Sequence, residues 1–270
     1  MLPASQRVVP LRAPRPEPRP VTAFGPLPPD IAAELEEISY TLLFPTGSVL
    51  FAEGDAARGI FVLAGGRVKL SICSGDGRTL ILRLAEPGDV IGIPATLSGN
   101  PYEVTASAIG PCRCGFIKRD QFLRLMHAHK EICLGVAEQL RRMYCSACFE
   151  IRRIGLSHSA AEKLAELLVR WPTTNGDSPG RIRFPFSHEE LGQMIGSSRE
   201  TVSRVFASFK RKRLAELRGA TLHIWDRAAL EAVAAGDGNL TRLTKDRPQA
   251  APESGTAEAH SDDRFHPDGV

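Results

Sequence analysis

Arg199, Glu200, Ser203 and Arg204 are spaced so that on a helix all four project from one side of its opening turns. Arginine donates two parallel hydrogen bonds to guanine O6 and N7, glutamate accepts from cytosine N4, and serine reaches several bases; each good bidentate pair discriminates by about 1–3 kcal/mol. Downstream, Lys210, Arg211 and Lys212, followed by Arg213, form a cationic run suited to the negative end of a helix and to DNA phosphates. Ser187, Ser198 and Thr201 add hydroxyls for backbone contacts. This is the chemistry of reading a duplex. No enzyme activity is expected, because neither close cysteine pair sits in a strand-to-helix context or has a general base beside it.

The element that must carry these groups is Ser187–Arg213, SHEELGQMIGSSRETVSRVFASFKRKR. Ser187 and Glu190 have capping-box spacing, and Leu191, Met194 and Ile195 supply a buried face to a first short helix. The turn is expected at Gly196-Ser197. Ser197 and Glu200 repeat the capping-box spacing, so a second helix is expected from Ser198 or Arg199 to about Lys212. Val202, Val205, Phe206 and Phe209 then pack inward and leave the four polar groups facing out.

The run GQMIGSSRETVSR resembles the helix-turn-helix signature of the CRP/FNR regulators, bacterial transcription factors related to the cAMP receptor protein and the fumarate-nitrate reductase regulator. Order and spacing extend the resemblance over about Ala23–Leu230. It implies that Arg199, Glu200 and Arg204 match the reading positions of the cAMP-receptor type, and Glu200, Ser203 and Arg204 those of the fumarate-nitrate type. The set is a hybrid, so the preferred half-site stays open. A dimer on half-sites about one helical turn apart is also implied.

The chain has 270 residues, 43% of them hydrophobic, and a net charge of +3. It can hold one or two domains with real cores. No apolar run approaches the roughly 20 residues that span a bilayer, so no membrane association and a cytoplasmic location are expected. The small net charge hides the local cation cluster. Residues 1–22 are expected to be a disordered basic, proline-rich arm, and 231–270 a mostly disordered tail.

Between them, Pro28-Pro29-Asp30 opens a short helix over Ile31–Ile38. Turn signals then recur about every ten residues as far as Gly110-Pro111, around β-rich runs such as Ile60–Leu63, Val68–Cys73 and Thr79–Leu84. This rhythm predicts an antiparallel β-roll or barrel of roughly eight strands over 23–119. FAEGD and GIFVLAGGRVKL resemble hairpins of the family's cyclic-nucleotide-binding domain. Such a pocket needs an arginine for the cyclic phosphate and a glutamate for the ribose. The resemblance aligns Ile93, after Gly92, with that glutamate, and Tyr102-Glu103, before Val104, with the arginine. These five residues describe a degenerate effector pocket: an acid replaces the cation, and cAMP binding is expected to be lost.

With no secretory signal, the six cysteines suggest a reducing compartment. Cys73, Cys112 and Cys114 are read as small core residues. Cys145 and Cys148 share a helix side and are candidate thiol sensors, with a small buried residue as the plainer reading. The resemblance permits metal, iron–sulfur, haem or redox sensing, but the N-terminal cysteine cluster of the fumarate-nitrate regulator is absent, and no cofactor is assigned. His127 and His129 point apart and are read as solvated or capping residues.

From Asp120 to about Gly155 the pattern is helical, with Ile132, Val136, Leu140, Met143, Ala147, Ile151 and Ile154 in one stripe, widened by Cys133, Ala137, Tyr144 and Cys148. A stripe this wide needs cover from the β-roll and from a partner helix, which predicts a homodimer. Ser157-His158-Ser159 breaks the helix and caps the next, Ala160–Arg170. Arg181–Phe186 is expected as a strand, and Leu214–Trp225, turning at Arg218-Gly219-Ala220, as a wing. The resemblance places the polar 172–180 loop where family members contact RNA polymerase, while the residues alone fit a plain solvated loop equally well.

The fold expected is α+β: an N-terminal antiparallel β-roll (23–119), a long dimerisation helix (120–156) and a winged helix-turn-helix (157–230). The function expected is that of a homodimeric transcription factor on double-stranded DNA with a near-palindromic operator and an effector other than cAMP. The alternatives are a redox- or metal-responsive regulator using Cys145 and Cys148, and a cyclic-nucleotide-binding module acting without DNA.

Overall fold

The computed structural model describes residues 22–156, 159–171 and 180–236. The proline-rich arm, the tail beyond 236, Ser157-His158 and all of the 172–180 loop but Gly180 lie outside the described residues.

A 3-10 turn, Thr22–Phe24, precedes α1 (Pro29–Glu37), which begins at a proline as an N-terminal helical turn allows. Eight strands follow: β1 (Tyr40–Phe44), β2 (Val49–Phe51), β3 (Gly59–Gly65), β4 (Val68–Cys73), β5 (Thr79–Ala85), β6 (Val90–Ile91), β7 (Thr105–Ala108) and β8 (Cys112–Lys118), with α2 (Ile93–Ser98) between β6 and β7. They form two four-stranded antiparallel sheets, β1-β8-β3-β6 and β2-β7-β4-β5, the expected β-roll. Its interior is apolar and aromatic: Phe44, Phe51, Phe61, Leu63, Leu70 and Tyr102 are buried together. Cys112 and Cys114 are buried in the same core, and burial pushes the Cys114 thiol up to about 12, so it is an inert packing residue. Cys73 corrects the expectation: it is exposed, because it ends β4 at the hairpin tip rather than lying under a sheet.

The helical stretch from Asp120 is two helices, α3 (Arg119–Ala128) and α4 (Lys130–Leu156). The break is His129, which is extended (φ −130°, ψ 113°) and is held by Glu34 of α1, 2.8 Å from its Nε2. No proline or glycine marks it. His127 caps locally, its Nδ1 lying 2.6 Å from the Leu123 carbonyl. Only the first part of the α4 stripe is covered: Ile132 and Val136 are buried against Phe24 and the β-roll, whereas Ala147 and Ile151 are exposed. Gln139 is buried at the same contact and donates to the Ala23 and Gly88 carbonyls.

The C-terminal part comprises α5 (Ala160–Arg170), β9 (Arg181–Arg183), α6 (His188–Ile195), α7 (Arg199–Arg211), β10 (Ala215–Arg218), β11 (Thr221–Ile224) and α8 (Arg227–Ala234). Ser159 caps α5 by accepting from Glu162 N–H. The strands make a three-stranded wing, β10-β11-β9. Folded structure runs past the expected Leu230 boundary, because α8 continues to Ala234 and buries Val233. One core holds Leu164, Leu168, Phe184, Phe186, Leu191, Ile195, Val202, Phe206, Phe209 and Leu230. It also takes in Ile81 of β5, so the β-roll and the winged helix-turn-helix share a packed contact.

Candidate nucleic-acid interface

Local chemistry builds α6 and the turn after it. The Ser187 hydroxyl accepts from Glu190 N–H, and the Glu190 carboxylate accepts from Ser187 N–H, a complete capping box. At the far end Gly196 is left-handed (φ 63°), and Ser197 N–H returns to the Gly192 carbonyl at 2.8 Å. A Cβ on Gly192 would sit 2.6 Å from Ser197 O, so the tight turn requires glycine at both positions.

The cap of α7 differs from the expectation. Ser198, not Ser197, is the N-cap: its hydroxyl accepts from Thr201 N–H at 3.2 Å. Ser197 N–H is spent on closing the turn, and the helix starts at Arg199, one of the two expected starts. Glu200 therefore stands in the first turn, where its own backbone N–H first and the Ser198 hydroxyl second hold its carboxyl below the usual carboxylate range.

On α7, Val202, Phe206 and Phe209 are buried and Val205 is half-buried. Arg199, Glu200 and Arg204 are exposed, and Ser203 is half-buried among them. The four expected reading residues thus share one face. Arg204 Nη2 donates to Thr201 Oγ1 at 3.2 Å, which orders it along the helix. Ser203 has a partner that sequence spacing did not suggest: its Oγ lies 2.8 Å from Nδ1 of His188. The His188 ring stacks on Phe206, with centroids 5.1 Å apart and planes at 9°.

Of the expected backbone contacts, Ser187, Ser198 and Thr201 all use their hydroxyls in the caps. Arg211 is exposed, while Lys212 is half-buried and its ammonium is pushed down by burial and by Arg211. Lys210 forms an ion pair with Glu216 of β10, which also receives Arg218. The last turn of α7 is therefore tied to the wing. Arg181, Arg183 and Arg218 lie exposed on that wing.

The five pocket residues are not gathered as a polar site. Tyr102 is buried, stacks on Phe51 with centroids 3.8 Å apart, and donates to the Gly59 carbonyl at 2.6 Å. Gly92 is left-handed (φ 88°), and a Cβ there would meet the Tyr102 ring at 2.9 Å. Ile93 is fully buried and Val104 half-buried. Glu103 corrects the expectation: it is exposed, because the neighbouring Tyr102 takes the inward direction. What disfavours a cyclic phosphate is the neutral aromatic side chain where the cation would stand, rather than a facing acid. Arg83 pairs through Nη1 with Asp89, 3.4 Å away, and its buried Nη2 has no hydrogen-bond partner among the described residues. Tyr102 and Ile93 thus put neither a cation nor a carboxylate at the two positions that the resemblance gives to the cyclic phosphate and the ribose.

Cys145 and Cys148 are both exposed on α4. Among the described residues no group of three or more His, Cys, Asp or Glu could hold a metal ion, and no helix is long and apolar enough to cross a membrane.

Comparison with known proteins agrees with this layout. Residues 41–129 match the cyclic nucleotide-binding domain family, and residues 162–233 match the Crp-like helix-turn-helix domain family. The CRP-like cAMP-activated global transcriptional regulator of Mycobacterium tuberculosis (strain CDC 1551 / Oshkosh) is 27% identical over 213 residues, covering 75% of this chain and 92% of that protein. The nitrogen fixation regulation protein FixK of Bradyrhizobium diazoefficiens is 29% identical over 212 residues, covering 76% and 87%. Among solved structures, FixK2 from Bradyrhizobium japonicum superposes with a TM-score of 0.63 at 20% identity, over 73% of this chain and 97% of that one.

Proposed function

Because this chain belongs to the CRP/FNR family of transcriptional regulators, we propose that it reads a near-palindromic operator as a homodimer through Arg199, Glu200, Ser203 and Arg204. The observation that carries the reading is α7 itself: a capped helix with an aromatic inner face and these polar groups together on its outer N-terminal face. Its N-terminal end enters the major groove, and Arg211 with the wing arginines meets phosphates.

The dimer reading is supported by α4. Leu134, Ala137, Arg141, Tyr144, Cys148, Ile151 and Gly155 alternate three and four residues apart, and all are exposed. Leu134, Tyr144 and Ile151 are about 70% exposed (69%, 72% and 71%). Such a seam is the a/d pattern of a coiled coil, and a second copy, lying parallel as the family's two-fold dimer requires, covers it. Two recognition helices on a two-fold axis then demand inverted half-sites. A contact of the 172–180 loop with RNA polymerase is inferred from the family resemblance alone.

The β-roll is the sensing half, and its ligand is not cAMP, since Tyr102 occupies the inward position. A signal there is passed through the contacts of α4 and β5 and shifts the population of recognition-helix arrangements. The chain is read as a regulator with no reaction of its own. In vitro selection from random duplexes tests the proposal. Recovery of an inverted repeat supports it, and recovery of no sequence in common refutes it.

A further inference from the structure

A serine on a recognition helix is ordinarily an ambiguous reader, since its hydroxyl rotates to donate or to accept. Ser203 is not free to do so. Its oxygen lies 2.8 Å from Nδ1 of His188, the first residue of α6. The imidazole is in turn clamped flat against Phe206, so it cannot swing away without uncovering that ring. Burial, and secondarily the charge of Arg199, hold the His188 pKa below its ordinary value, which keeps the ring neutral at neutral pH. A neutral imidazole has one N–H, and with that proton on Nε2, the form the free side chain favours, Nδ1 is an acceptor. The proton between His188 and Ser203 then belongs to the serine.

We propose that His188 is a positioning residue that commits the Ser203 O–H inward and leaves Ser203 an acceptor toward DNA. The base that Ser203 contacts is then one that presents a donor in the major groove, adenine through N6 or cytosine through N4, and not guanine or thymine, which present acceptors there. The inference rests on the reading that the N-terminal face of α7 meets base edges. It adds a specificity-determining residue from outside that helix.

The test compares the full chain with Ser203→Ala, His188→Phe and His188→Asn on selected duplexes and on single-base variants of them. Ser203→Ala identifies the base pair concerned. His188→Phe keeps the stacking on Phe206 but removes Nδ1, so preference at that pair falls about fivefold, the worth of one hydrogen bond, while the neighbouring positions hold. His188→Asn, whose Oδ1 stands in for Nδ1, restores most of the preference, a rescue that general damage to folding would not allow. Removing the exocyclic amine of the contacted adenine or cytosine weakens the parent about fivefold and leaves Ser203→Ala unchanged. The inference is overturned if His188→Phe keeps the parent's preference, if His188→Asn fails to differ from His188→Phe, if Ser203→Ala changes no position, or if amine removal is silent. A parent that enriches no sequence at all is a different result, and it refutes the underlying reading.

Discussion

Lys69 Nζ of β4 lies 2.8 Å from Glu190 Oε1 of α6, so the β-roll grips the same carboxylate that closes the capping box of the helix-turn-helix. Both side chains are about three-quarters buried (26% and 25% exposed). The two parts also meet where Ile81 is buried in the C-terminal core and where Arg67 lies over the Trp171 ring at 4.8 Å. A change in β4 or β5 thus reaches the reading module through direct contact.

This pair predicts a pH dependence. Burial alone would raise the Glu190 pKa, but hydrogen bonds from Lys69 and Ser187 outweigh it, and the net shift is downward. A carboxyl whose folded pKa is depressed contributes stability above its unfolded value and loses it as pH falls through the folded one. Thermal melts should show the parent losing its advantage over Glu190→Gln below the ordinary carboxylate range. At neutral pH the advantage should be about 1–2 kcal/mol.

Lys210 and Arg204 should behave differently in DNA binding. Arg204→Ala should relax selectivity at one guanine by about 1–3 kcal/mol, with little change on random DNA. Lys210 is shared with Glu216, so Lys210→Ala should change the salt slope by less than the ~0.9 of a full phosphate contact. Glu216→Gln releases both Lys210 and Arg218. Its binding to random DNA should tighten and grow steeper in salt, as salt titrations by fluorescence anisotropy would measure.

The α4 seam predicts a chemical cross-link. In a parallel pair Cys148 occupies a position that faces its own copy, within reach of disulfide geometry. Mild oxidation with copper-phenanthroline should give a covalent dimer on a non-reducing gel. Cys148→Ser should abolish most of it, and Cys145→Ser much less.

How much of this was legible depended on range in sequence. The Ser187–Glu190 capping box and the inward Val202, Phe206 and Phe209 were readable, because spacings of three and four residues fix contacts within one helix. Choosing between Ser197 and Ser198 was not, since both have a candidate partner three residues on and the turn geometry at Gly196 decides. The break at His129 was hidden for a similar reason: its partner Glu34 lies 95 residues away in the chain. Tyr102 and Glu103 show the limit within a loop, where adjacent residues take opposite directions and only the fold says which is inside. Lys69–Glu190 and His188–Ser203 join separate elements and leave no local pattern.

Tyr102 makes the pocket testable. Tyr102→Phe removes the buried bond to the Gly59 carbonyl, which keeps only the Thr96 hydroxyl as a side-chain donor, so melting should show a loss of about 1 kcal/mol. Calorimetric titration of the parent with cAMP should give no binding heat, and micromolar binding would contradict the reading of the pocket.

The most direct test of the whole account is one anisotropy titration of the full chain, at fixed salt, against the selected inverted repeat and a scrambled duplex of equal composition. The repeat should bind at least about 10³-fold more tightly. Equal affinity for the two duplexes would contradict it.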